Sequence, residues 1–178
     1  MGIGEGELYR IELGISHNLI RSSLYRVLKK ECNKLGFSTI DDLRKGIRIT
    51  HAFKSRTVNN FLIDNKIPED KAYKLISISS DCKLKIRRGA KLKDLSHQEV
   101  RLLQFFIQMN RNKRILIETS GMYLNVLIAT YDLLKEFLNQ GGMIVEMAYP
   151  HFQEDDDRKW YATKKLKTFQ IGEMQITK

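Results

Sequence analysis

The sequence of 178 residues predicts an α/β fold with a mainly parallel core sheet. Three observations carry this. Strand-like alternation and helical spacing of apolar residues take turns along the chain, the pattern of parallel strands joined by helices. Ser96-His97-Gln98-Glu99 is a capping box that opens a helix. That helix leads through a short basic turn into the apolar run Ile115-Leu116-Ile117, with Glu118 at its end. The length suits one domain with a sizeable core. A hydrophobic content of 42% and a charged content of 29% place the chain among globular proteins.

Taken in order, Leu8, Ile11 and Leu13 lie in a strand pattern over residues 6–13. After a loop with Gly14, Ser16 and Asn18, the residues Ile20, Leu24, Val27, Leu28 and Leu35 recur at helical spacing, so residues 19–35 read as an amphipathic helix stopped by Gly36. Residues 37–50 read as two short strands about a polar turn. Residues 55–65 are ambiguous, with Val58, Phe61 and Leu62 at helical spacing. Pro68 stands as a first-turn proline before Glu69 and Asp70, for a helix to about Ser79. The capped helix buries Val100, Leu103, Phe106 and Ile107, and residues 114–117 form a short buried strand. Leu124, Leu127, Ile128, Tyr131, Leu134 and Leu138 give the clearest helical stripe, ended by Gly141-Gly142. Residues 143–148 are the next strand, and Trp160-Tyr161 and Phe169-Gln170-Ile171 suggest closing strands in a hairpin.

The formal net charge of +10 comes from 31 Lys and Arg against 21 Asp and Glu, and it is densest over Lys83–Lys93. This run reads either as a solvated surface or as a face for a polyanion: nucleic acid, phosphate or an anionic membrane. No apolar run approaches the roughly 20 residues that cross a bilayer. The N-terminus lacks the charge and apolar core of a signal peptide, and an intracellular setting is expected. Cys32 and Cys82 have no metal-ligand spacing. Cys32, within a helical pattern, reads as a small buried hydrophobe.

Seven segments, in sequential order, resemble the nucleotide-binding ATPase subunit of ABC transporters. Gly6-Glu7-Leu8-Tyr9 looks like the opening strand of that family. Arg21-Ser22-Ser23-Leu24-Tyr25-Arg26-Val27-Leu28 resembles the Lys-Ser-Thr-Leu-Leu-Arg-x-Leu that ends the phosphate loop and begins its helix. Residues 40–51, ending in Ile49-Thr50-His51, fall at the β-hairpin and glutamine loop. Thr57-Val58-Asn59-Asn60-Phe61-Leu62 resembles the Thr-Val-x-Glu-Asn-Leu of the helical subdomain. Leu95-Ser96-His97-Gln98-Glu99 stands for the Leu-Ser-Gly-Gly-Gln signature. Ile115 to Gly121 stands for the Walker B strand and its Glu-Pro-Thr-Ser-Gly, and Met143 to Pro150 for the switch-histidine strand.

This resemblance implies a P-loop-NTPase-like α/β sandwich with an antiparallel N-terminal β part. It also implies a helical subdomain, at about residues 55–112, inserted in a single domain over residues 1–178. It assigns nucleotide contacts to Gly14, Arg21, Ser22, Ser23 and Ser96, magnesium to Ser22 and Glu118, and catalysis to Glu118 with Tyr149 or His151 at the switch position. His51, Phe53, Val58 and Phe61 fall where a permease docks. The cofactors would be ATP and Mg2+ if nucleotide binding is retained. The partners would be an integral membrane permease and a second ATPase subunit, identical or different, at the inner face of the membrane, with no nucleic acid expected.

The departures from the motifs bear on the chemistry. A phosphate loop needs glycines so that successive N–H groups turn inward, and a lysine as a compact cation. Here Ile20 replaces the last glycine and Arg21 the lysine. A β-branched residue resists positive φ, and guanidinium is a planar fork. Glu118 is the single acid where the family has two. His97 and Gln98 replace the signature glycines that admit a phosphate, and His51 replaces the loop glutamine. Together these changes predict a degenerate subunit, a pseudo-ATPase. The alternatives are a working ATPase with divergent motifs and a basic nucleic-acid-binding α/β domain.

Overall fold

The computed structural model describes residues 5–13, 21–39, 55–119, 121–148 and 166–171. Its elements, in chain order, are β1 (Leu8–Leu13), α1 (Arg21–Lys34), α2 (Val58–Asp64), α3 (Glu69–Asp81), a 3-10 turn (Leu92–Asp94), α4 (His97–Arg111), β2 (Arg114–Glu118), α5 (Leu124–Asn139), β3 (Met143–Ala148) and β4 (Leu166–Ile171). The strands form one sheet in the order β2-β3-β1-β4, and every neighbouring pair is parallel.

The sheet is covered on both faces, as a parallel sheet requires. Alternation along the strands assigns the faces. Leu8, Ile115, Ile117 and Ile144 enter a large core with Leu103, Phe106 and Ile107 of α4, Leu127 and Leu134 of α5, Val58 and Phe61 of α2, and Leu75 of α3. Tyr9, Leu116, Met143 and Val145 pack on the other side against Tyr25, Leu28 and Cys32 of α1, and against Phe37. Cys32 is buried, and burial, with the Glu31 carboxylate nearby, raises its thiol pKa to about 11. It is a core residue, as its helical position predicts.

Local sequence explains the boundaries. Gly36 has φ +79°, the left-handed conformation that ends α1. Thr57 caps α2, its side chain accepting from Asn60 N at 3.2 Å, which resolves the ambiguity of residues 55–65 in favour of a helix. Pro68 is the N-cap of α3 and not its first residue, and the helix runs two residues past Ser79. Ser38 pairs in parallel with Ile115, and the buried amide of Gln108 donates to the Ser38 carbonyl, so the outer edge of β2 is covered.

Phe169 to Ile171 lie in β4, which pairs in parallel with β1, and the hairpin expected with Trp160-Tyr161 falls outside the described residues. Other expectations are corrected or fall outside the described residues. An antiparallel N-terminal part does not include β1, which has a parallel neighbour on each side. Beyond Thr39 the predicted strands of residues 37–50 lie outside the described residues, as does Trp160-Tyr161. Val27 and Leu35 of α1 are exposed, because the buried face of that helix is the Tyr25, Leu28, Cys32 row. Leu124 is exposed at the first turn of α5, while Val126, Ala129 and Leu133 are buried. Among the described residues no helix is long and apolar enough to cross a membrane.

Candidate functional site

In an open parallel sheet, ligands gather outside the carboxyl ends of the strands, where successive connections leave in opposite directions. Here β1 leads through α1 to Ser38 beyond β2, whereas β3 leads to β4 beyond β1. That rule directs the search for a site to the carboxyl ends of β1 and β3, beside the end of β2. Glu118 ends β2. Arg101 of α4 reaches it: its Nη2 donates to the Glu118 carbonyl oxygen at 2.5 Å and stands 3.6 Å from Glu118 Oε2. Both side chains are about four-fifths buried, at 21% and 19% exposure, so the pair is only weakly screened. Glu118 therefore already faces a cation. No group of three His, Cys, Asp or Glu able to hold a metal occurs among the described residues. The Glu118 carboxylate is paired with a guanidinium, and the side chain of Ser22, the other expected magnesium ligand, is not described.

Beneath Glu118 lies a buried polar network. Glu146 of β3 is fully buried, and three side chains donate to its carboxylate: Arg10 Nε at 3.0 Å, Thr119 Oγ1 at 2.6 Å and Tyr131 Oη at 2.6 Å. Arg10 and Glu146 are register partners on adjacent strands. Burial, then the Glu146 charge, raises the Tyr131 phenol above its ordinary pKa, so it remains a neutral donor. Thr119 also donates its backbone N–H to the Met147 carbonyl at 3.2 Å. The residue after Glu118 is thus fixed to β3 by two hydrogen bonds. The sequence carried a signal for this network: Glu146 is one charge within the apolar strand 143–148, and a buried charge needs a partner. Arg10 gave no such signal, because its alternation reads as solvent-facing.

The start of α4 is equally committed. Ser96 Oγ accepts from Glu99 N at 3.2 Å, and Glu99 Oε2 accepts from Ser96 N at 2.7 Å, completing the predicted capping box. The other oxygen of Glu99 accepts from Lys85 N at 2.5 Å. Gln98 turns its amide onto the segment that follows β2. Its Nε2 donates to the Gly121 carbonyl at 2.7 Å, and its Oε1 accepts from Tyr123 N at 2.5 Å. The Gln98 side chain thus clamps its own chain. Gly121 has φ +75°, which lets this turn close.

Glu118, Ser96, Val58 and Phe61 are thus placed. The last two are buried core residues, so their side chains present no surface to a partner. The backbone of Arg21, Ser22 and Ser23 forms the first turn of α1, and their side chains are not described. Gly14, His51, Phe53, Tyr149 and His151 lie outside the described residues.

Comparison of this structure with solved ones gives a consistent result. An ATP-binding cassette of an ABC transporter in its ADP conformation matches with TM-score 0.51 and 14% identity, over 84% of this chain and 72% of that one. A nucleotide-free cassette matches with TM-score 0.51 and 15% identity, over 96% and 80%. A putative ABC transporter ATP-binding protein from Pyrococcus furiosus matches with TM-score 0.57 and 9% identity, over 94% and 86%. The chain has the ATP-binding-cassette fold. No protein-family model matches its sequence, and no curated protein matches it. At these identities the kinship with cassettes is one of fold. Within this fold Glu118 ends β2 and Ser96 caps α4.

Proposed function

We propose that this chain is a cassette-like subunit of an ABC-type transporter that has lost ATP hydrolysis and acts by docking on a membrane permease, on an active ATPase subunit, or on both. The observation that carries the proposal is the commitment of the two catalytic positions to internal contacts. Glu118 is paired with Arg101, and Gln98 is bonded to Gly121 and Tyr123. A working site needs a free carboxylate to hold metal or orient water, and a bare backbone to meet the γ-phosphate. The sequence adds Ile20 and Arg21 in the phosphate-loop segment. In this reading the chain works at the inner face of the membrane, with the permease near His51 and Phe53 and with buried Val58 and Phe61 supporting that surface from within.

Isothermal calorimetry with ATP, with and without Mg2+, tests this together with a phosphate-release assay. The expected result is no turnover above buffer and no strengthening of ATP binding by Mg2+. Turnover that disappears in both Arg21→Ala and Glu118→Gln overturns the proposal in favour of a divergent but active ATPase. Recovery of a permease and a motif-complete ATPase with the tagged chain from membranes supports the docking role. Recovery of neither under conditions that keep transporters intact counts against it.

A further inference from the structure

The segment from Lys83 to Lys93 holds six Lys and Arg residues and no acid. It is not a flexible tail. Ile86 and Leu92 are buried, and Leu84 packs against the same core. Backbone hydrogen bonds pin the segment to α3, to α2 and to the residue just before the α2 cap: Leu84 N to Ser79 O at 2.8 Å, Val58 N to Ala90 O at 2.8 Å, Asn59 N to Arg88 O at 3.1 Å and Leu92 N to Arg56 O at 2.9 Å. With the apolar residues turned inward, Lys83, Lys85, Arg87, Lys91 and Lys93 are left exposed. None of the five side-chain cations has an acidic partner among the described residues. Arg88 differs: it bonds Glu69 Oε1 at 3.1 Å and stacks over Tyr73 at 4.1 Å. The exposed acids Asp81 and Asp94 border the run without interrupting it.

We infer that this rigid basic segment is a docking surface for an anionic lipid bilayer, with the five exposed cations meeting headgroup phosphates. Anchoring the backbone in advance lowers the ordering cost of bringing the cations to one surface. The segment contains no aromatic residue on which a base could stack. The nearby Tyr73 ring is already faced by Arg88. Lysine point charges suit mobile, unpatterned phosphates better than planar bidentate recognition. The choice of bilayer over nucleic acid rests on the transporter reading, which brings the chain to a membrane.

The test is co-sedimentation of the full chain with vesicles of phosphatidylcholine alone, or of phosphatidylcholine with one-third phosphatidylglycerol. Binding is expected only to the anionic vesicles and is expected to weaken as salt is raised. Near such a surface each cation contributes roughly fivefold in affinity. The combined Lys85→Gln, Arg87→Gln and Lys91→Gln variant should therefore bind about a hundredfold more weakly. A variant with the same charge loss elsewhere, Lys30→Gln, Lys34→Gln and Lys113→Gln, should bind as the native chain does. Thermal unfolding checks that both variants fold, and Lys83→Gln with Lys93→Gln repeats the test with other side chains. Equal weakening of both charge-matched variants overturns the inference, because net charge alone would then account for binding. So does the absence of binding to anionic vesicles, or binding of a generic oligonucleotide without binding of vesicles. The vesicles hold no permease and no nucleotide, so a negative result here leaves the transporter reading standing, and failure of that reading leaves the vesicle result standing.

Discussion

Glu146 shows how one residue joins fold to site. Its carboxylate sits at zero exposure between Arg10, Thr119 and Tyr131. Two charges removed from water gain little against an apolar pair of equal size, but a lone buried charge is costly. Glu146→Gln removes the buried charge that faces the Arg10 guanidinium and is expected to destabilise the chain by about 3–5 kcal/mol, as read by urea unfolding. Arg10→Met combined with Glu146→Leu should cost less than the single change, even though Thr119 and Tyr131 lose their acceptor. A Glu146→Gln chain within about 1 kcal/mol of native would show that the pair contributes nothing beyond a surface ion pair. At this scale the sequence was only partly readable. Glu146 was conspicuous within an apolar strand, whereas its three donors come from β1, the end of β2 and α5, and only the fold brings them together.

At the scale of elements, the capping box, Gly36 and the β3 strand were all readable, because each rests on neighbours within a few residues. What local pattern could not supply was which face of α1 turns inward. Val27 fits the helical spacing yet is exposed, and Tyr25 and Cys32 take the buried row. Nor could it reveal that Gln98 folds back on residues 121–123, since that contact joins the start of α4 to the turn beyond β2. The turn between α5 and β3 offers a sharp test. A Cβ built on Gly142 would stand 2.3 Å from Phe137 Cε1, inside a packed ring. Gly142→Ala is expected to destabilise by about 1–3 kcal/mol through overpacking. Phe137→Leu in the same chain should recover part of that loss, since the smaller side chain clears the collision while leaving a modest void. If Gly142→Ala unfolds at the native midpoint, the close approach of this turn to α5 is wrong.

For the whole molecule, the order β2-β3-β1-β4 means that the first strand is completed by the last. A periodicity analysis sees β4 as one more strand and cannot say where it goes. Its place beside β1 follows only once β1 is known to be parallel to β3, with one edge still unpaired. β4 pairs along the entire length of β1, from Leu8 opposite Leu166 to Leu13 opposite Ile171. Removing it exposes a row of unpaired N–H and C=O groups along the freed edge of β1, the arrangement that invites pairing with another chain. A chain ended before Leu166 is therefore expected to lose its soluble monomer, shifting to large species by light scattering and size exclusion. The helices packed on the other strands should keep much of their circular-dichroism signal, because α4, α5 and β2 share a core of their own. A truncated chain that stays monomeric with an unchanged melting temperature would remove β4 from the sheet. The molecule would then consist of three strands, with β1 at the edge beside the candidate crevice.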